Sequence, residues 1–141
     1  MKHAYLIIAH NEPEILQLLL SSLDDERNDI YVHIDRKASF SASILQTSKS
    51  HLYVLPIHID ARWGDFSLVK IELTLFKEAY TNGPYAYYHL LSGVDLPIKS
   101  QDYIHTYCDE HQGREFIGIA NHATQREINW RSQHWFFFSR D

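Results

Sequence analysis

Ala4 to Ala9, AYLIIA, is an unbroken apolar run that leads directly into a helix start, and no other feature of the chain constrains its fold as tightly. A run without alternation suits a strand covered on both faces, which is the habit of parallel sheets. Asn11-Glu12-Pro13-Glu14 then reads as a helix N-terminus. Asn11 can cap, Pro13 suits the first turn, and Glu14 sits three residues after the cap. Ile15, Leu16, Leu19, Leu20 and Leu23 follow as an apolar stripe at helical spacing.

The same alternation continues. Ile30 to Ile34 predicts a second strand, and Phe40 to Gln46 a short helix in a Ser-rich connection. His51 to Leu55 predicts a third strand, closed by Pro56. Ser67 is expected to cap a long helix whose buried stripe is Leu68, Ile71, Leu75, Phe76 and Ala79. Asn82-Gly83-Pro84 stops it. Tyr85 to Leu91 predicts a fourth strand, Ser100 caps a third helix ending near Gly113, and Glu115 to Ile119 predicts a fifth strand. Ala120 to Asp141 shows no clear period. Repeated strand–helix units imply an α/β fold with a mainly parallel sheet and helices on both faces, here read as a single domain over residues 1–141.

Ligands of such sheets bind at the carboxyl ends of the strands, near a switch in strand order. The segments after the strands are therefore the ones to read for chemistry: His10 to Glu12, Asp35 to Lys37, Asp60 to Gly64, and Ser92 to Pro97. Asp35, at the end of strand two, can accept hydrogen bonds from a ribose hydroxyl or a base N–H; equally, it can cap a turn or pair with Arg36 or Lys37. As a strand-end residue it is expected to be exposed and dispensable for folding. Trp63 beside Gly64 offers a flat face with room for a sugar or base ring, or it plugs a sheet edge. Gly64 is expected to need a backbone angle open to glycine. Asp95, in Ser92-Gly93-Val94-Asp95, can bind a ligand hydroxyl or hold its own turn.

Composition removes several function classes. Thirteen Lys and Arg against 18 Asp and Glu give a net charge of −5, without the basic footprint of a nucleic-acid binder. No apolar run reaches the length of a membrane-spanning helix. A lone cysteine, Cys108, excludes an internal disulfide and a multi-cysteine zinc site, and points to a reducing compartment. The ten histidines form no HExxH or other spaced zinc pattern, so no metal is expected. The sequence also has no Asp-x-Asp, P-loop or GxGxxG motif.

Four segments in order carry a family resemblance: Ala4 to His10, Tyr31 to Lys37, Trp63 to Val69, and Leu91 to Ile98. Together they resemble the core-2/I-branching β-1,6-N-acetylglucosaminyltransferase family, which includes the peptide O-xylosyltransferases. The resemblance covers about residues 3 to 120. It implies a GT-A-type, Rossmann-like glycosyltransferase domain that binds UDP-N-acetylglucosamine or UDP-xylose. It also implies transfer with inversion, without a metal or other cofactor, to a hydroxyl of a glycan or polysaccharide acceptor. By position it puts Ala9 and His10 against the uridine and Asp35 near uracil and ribose. Lys37 joins the donor set beside Asp35. Arg62, Trp63 and Gly64 would line the pocket, and Ser92 and Asp95 would lie toward the sugar.

The family's catalytic base and its diphosphate-binding cations lie in segments expected beyond Asp141. The chain is thus read as a donor-binding part truncated on its C-terminal side, with Arg36, Lys37, Arg62 and Lys99 as the cations at hand. The early Met1 suggests a bacterial-like cytoplasmic protein, peripheral at the inner membrane face. Self-association is expected through Trp130, Trp135 and Phe136 to Phe138. Two other readings stay open. Ala9 to Glu12 is also similar to the opening of the metal-dependent GT-A enzymes, and a short chain could bind UDP without turnover.

Overall fold

The computed structural model describes residues 1–62 and 64–117. The chain divides into two compact units, Met1–Glu110 and His111–Asp141, and the strands and helices named below all belong to the first. Among the described residues, four parallel strands form one sheet in the order β3-β2-β1-β4. They are β1 (His3–Ala9), β2 (Asn28–Ile34), β3 (His51–Val54) and β4 (Tyr87–Ser92). The helices are α1 (Pro13–Leu23), α2 (Phe66–Asn82) and α3 (Gln101–Glu110). None of them is long and apolar enough to cross a membrane.

Strand periodicity sorts the side chains onto two faces. Tyr5, Ile7 and Ala9 of β1, with Ile30, Val32 and Ile34 of β2, pack against Leu16, Leu19, Leu20 and Leu23 of α1. The alternate residues Ala4, Leu6 and Tyr31 pack with Leu55 against Ile71, Leu75 and Ala79 of α2. Burying each of these leucines contributes about 1.5–3 kcal/mol before entropy is counted. Crossover handedness accounts for the two layers. The chain steps from β1 to β2 to β3 in one direction, then returns past both to place β4 beside β1. Right-handed crossovers running in opposite directions put their helices on opposite faces.

The structure moves several expected boundaries. The α1 cap is Glu12, not Asn11; it is left-handed (φ 57°, ψ 59°) and makes no side-chain capping bond. Pro13 has no N–H to be satisfied at the first helical position, so this start survives without a capping side chain. Asp65, not Ser67, precedes α2, because the Ser67 hydroxyl is already accepting the Arg62 N–H at 2.9 Å. Phe76 is exposed and Leu68 half-buried, so the buried stripe of α2 narrows to Ile71, Leu75 and Ala79. The Phe40 to Gln46 helix shrinks to a single 3-10 turn, Ala42–Ile44. Ser100 does cap α3, accepting the Tyr103 N–H at 3.2 Å, and the helix ends at Glu110. Glu115 to Ile117 form no strand; the remainder of that predicted strand, Trp63, and the aromatic residues from Trp130 to Phe138 lie outside the described residues.

Candidate functional site

The strand order reverses between β1 and β4, so the crevice above their carboxyl ends is the switch point of this sheet. Two backbone hydrogen bonds tie β1 to both neighbours there. The Asp35 N–H donates to the Ala9 carbonyl at 2.8 Å, and the Gly93 N–H donates to the Ile8 carbonyl at 2.8 Å. Gly93 presses on β1 so closely that a Cβ would sit 3.0 Å from Ala9 Cα and 3.1 Å from Ala9 Cβ. Nothing in the turn motif marks Gly93 as different from any other turn glycine; the contact exists only once β4 lies beside β1.

Asp35 departs from its expectation. It is 2% exposed, not an open strand-end carboxylate. One oxygen accepts the Lys37 N–H and the other the Ala61 N–H, each at 2.7 Å. The side chain therefore clamps the loop leaving β2 to the loop that follows β3. The His10 ring lies 3.8 Å from the same carboxylate, with half of that side chain open to solvent.

The hub of the cationic part is Asp60, which opens the Asp60 to Gly64 segment but has no role of its own among the sequence-predicted site residues. Lys37 Nζ donates to one oxygen of Asp60 at 2.6 Å and to the Ala61 carbonyl at 2.6 Å. Arg62 donates to the other oxygen from Nε at 3.0 Å and Nη2 at 2.9 Å. The Lys37 and Arg62 hydrogen bonds hold the Asp60 carboxyl at about 2, well below its ordinary range. Buried His33 adds a second support. Its Nε2 accepts the Ile59 N–H at 2.9 Å, which leaves the ring proton on Nδ1, where it meets no partner among the described residues. Desolvation lowers the His33 pKa and keeps the ring neutral.

Gly64 has φ 73°, as its place beside Trp63 suggested. Asp95 holds its own turn, accepting the Ser92 N–H at 2.7 Å, while the Ser92 hydroxyl accepts the Val94 N–H at 3.4 Å. Thus His10, Asp35, Lys37 and Arg62 gather on the β2 side of Ala9, and Ser92 and Asp95 stand on its β4 side. Lys99 is engaged elsewhere, over the Tyr103 ring at 4.9 Å. At the opposite, amino-terminal end of the sheet, His3, His89 and Cys108 come together, although no spacing in the sequence announces them.

Comparison with known proteins adds an independent line. The profile of the Core-2/I-Branching enzyme family matches residues 3–140. Xylosyltransferase 1 of Homo sapiens is 22% identical over 120 residues, covering 81% of this chain and 12% of the relative. The protein of the same name from Pan troglodytes is 22% identical over 120 residues, covering 81% of this chain and 13% of the relative. The Canis lupus familiaris protein is 21% identical over the same length. The chain therefore spans about an eighth of the length of these relatives.

Proposed function

The chain belongs to the Core-2/I-Branching enzyme family, and on that premise we propose that it forms the nucleotide-sugar-binding part of a glycosyltransferase. The donor in this reading is a UDP-sugar, UDP-N-acetylglucosamine or UDP-xylose. It sits in the crevice above Ala9, with uridine toward His10 and Asp35 and the sugar toward Ser92 and Asp95. The observation that carries the reading is the coupling of both flanking loops to β1 at the switch point, through Asp35 to Ala9 and Gly93 to Ile8. The names of the relatives keep xylose beside N-acetylglucosamine as the transferred sugar.

The proposed reaction is a single in-line displacement. A carboxylate base takes the proton of the acceptor hydroxyl; the oxygen attacks C1, and the bond from C1 to UDP breaks with its electron pair on UDP. Inversion at C1 is the consequence of one displacement. Asp35, Asp60 and Asp95 are not assigned as the base, because each already holds partners of its own: two backbone N–H groups, two cations, and the Ser92 N–H. In the metal-free reading, side-chain cations offset the leaving charge. Lys37 and Arg62 can share a diphosphate only in competition with Asp60, so further cations from outside the described residues are part of the proposal. The acceptor is a hydroxyl of a glycan or polysaccharide.

Calorimetric titration of UDP, UDP-N-acetylglucosamine and UDP-xylose in excess EDTA tests the reading, with circular dichroism to confirm folding. Binding of UDP that survives chelation is the expected result. Folded protein that binds none of the three overturns the donor site, and binding that appears only with Mn²⁺ overturns metal independence alone.

A further inference from the structure

Three side chains far apart in sequence converge beneath the sheet, at the end of β1 remote from Ala9. His3 opens β1, His89 lies within β4, and Cys108 sits in the last turn of α3. One ligand atom from each lies within 4.8 Å of the other two. We propose that this cluster is a zinc-class metal site that fastens α3 to β1 and β4.

The chemistry of the donor set fits. Two imidazoles and one thiolate are the soft and borderline ligands that zinc prefers over oxygen donors. His3 is fully buried, and its Nε2 has no hydrogen-bond partner among the described residues. A buried nitrogen without a partner is a rarity that calls for a physical account. A metal ion bound by this cluster supplies one. The Nδ1 of the same ring is hydrogen-bonded to His89 Nε2 at 3.0 Å, which holds the two rings side by side. His105 stacks on His3 with ring centroids 4.0 Å apart but is turned away to Asn28 Oδ1 at 2.9 Å, leaving it as a wall of the site.

The charge of the ion offsets the cost of a buried thiolate. Binding then releases one thiol proton to solvent. With Zn–N near 2.0–2.1 Å and Zn–S near 2.3 Å, tetrahedral ligand atoms stand about 3.3–3.6 Å apart, inside the 4.8 Å within which the three ligand atoms here lie. Three protein ligands leave the fourth position open to water. Of the three, His89 lines a cavity of about 350 Å³ together with Tyr5. β1 runs seven residues from His3 to Ala9, about 20 Å along the strand, which separates this structural ion from the donor crevice. The site is independent of the proposed sugar transfer and of its metal requirement.

Cobalt substitution reads the site directly, because Cys108 is the only thiol in the chain. Metal-stripped protein is titrated with Co²⁺ and followed by absorbance. The expected result is an intense sulfur-to-cobalt charge-transfer band that saturates at one equivalent and is displaced by Zn²⁺. Zn²⁺ should also raise the Tm of the stripped protein. Cys108→Ala should abolish the band, and the half-buried His89→Gln should weaken Co²⁺ binding at least tenfold. Folded wild-type protein that takes up Co²⁺ without the sulfur band, or takes up none, overturns the proposal without recourse to any variant. So does a band of undiminished affinity in folded His89→Gln.

Discussion

Asp35→Asn separates the two roles that the structure gives this side chain. The carboxylate accepts two backbone N–H groups, from Lys37 and Ala61, at 2.7 Å each, in a residue that is 2% exposed. Asn is isosteric but offers one acceptor oxygen and turns an amide toward the second N–H. The loss of one charge-assisted bond costs about 1.5–3 kcal/mol, and the weakening of the other to a neutral bond about 0.5–1.5 kcal/mol. A total of about 2–4 kcal/mol is a large part of the 5–15 kcal/mol that holds a typical domain together. Thermal denaturation followed by circular dichroism should show a Tm fall on the order of 10 °C. The loop after β3 should loosen with it, since the Ala61 N–H is what fastens that loop to the end of β2. Under the proposed function, UDP affinity measured well below the Tm should fall on the order of 10–100-fold. An unchanged Tm would refute the clamp. Equal UDP affinities in two folded proteins would remove Asp35 from the donor site while leaving its structural role intact.

Gly93→Ala places a methyl 3.0 Å from Ala9 Cα, backbone that cannot yield without moving β1. A destabilisation of about 1–3 kcal/mol is expected by urea denaturation, and wild-type stability would show that the loop gives way freely. Stability should also fall in acid through Asp60. Its folded value near 2 lies below the ordinary 3.8, so the unfolded chain takes up the proton first. The contribution is complete above about pH 4 and fades as pH drops toward about 2. Plots of Tm against pH for wild type and Asp60→Asn should converge at the acid end; parallel curves would show that the Lys37 and Arg62 contacts do not stabilise the fold.

The layering of this protein is legible in the chain because it rests on local periodicity. AYLIIA and the stripe from Leu16 to Leu23 state which residues must be covered, and covering a two-faced strand requires parallel neighbours and crossover helices. Gly64 and Ser100 are legible for a similar reason: a left-handed turn and a helix cap are satisfied within a few residues. The cap of α2 differs from its expectation because a competing partner intervenes, the Arg62 N–H that occupies the Ser67 hydroxyl. The core-2/I-branching resemblance rests on strand-end segments, and the family match over residues 3–140 bears it out.

The site chemistry was decided elsewhere. Asp60 becomes the hub of Lys37 and Arg62 only because the loop after β3 folds back over the end of β2. Asp35 is buried for the same reason, and Gly93 matters only because β4 is inserted next to β1 instead of beside β3. His3 and His89 stand 86 residues apart and meet through the β1–β4 register, with α3 bringing Cys108 beneath them. Periodicity acts within a helix or a strand. Hydrogen bonds, ion pairs and ligand clusters act through space, between elements whose adjacency depends on strand order and register. The sequence by itself therefore determined which faces are apolar, where the loops fall and which loops carry the candidate site; the tertiary structure alone decided how the charged groups pair there and that His3, His89 and Cys108 meet.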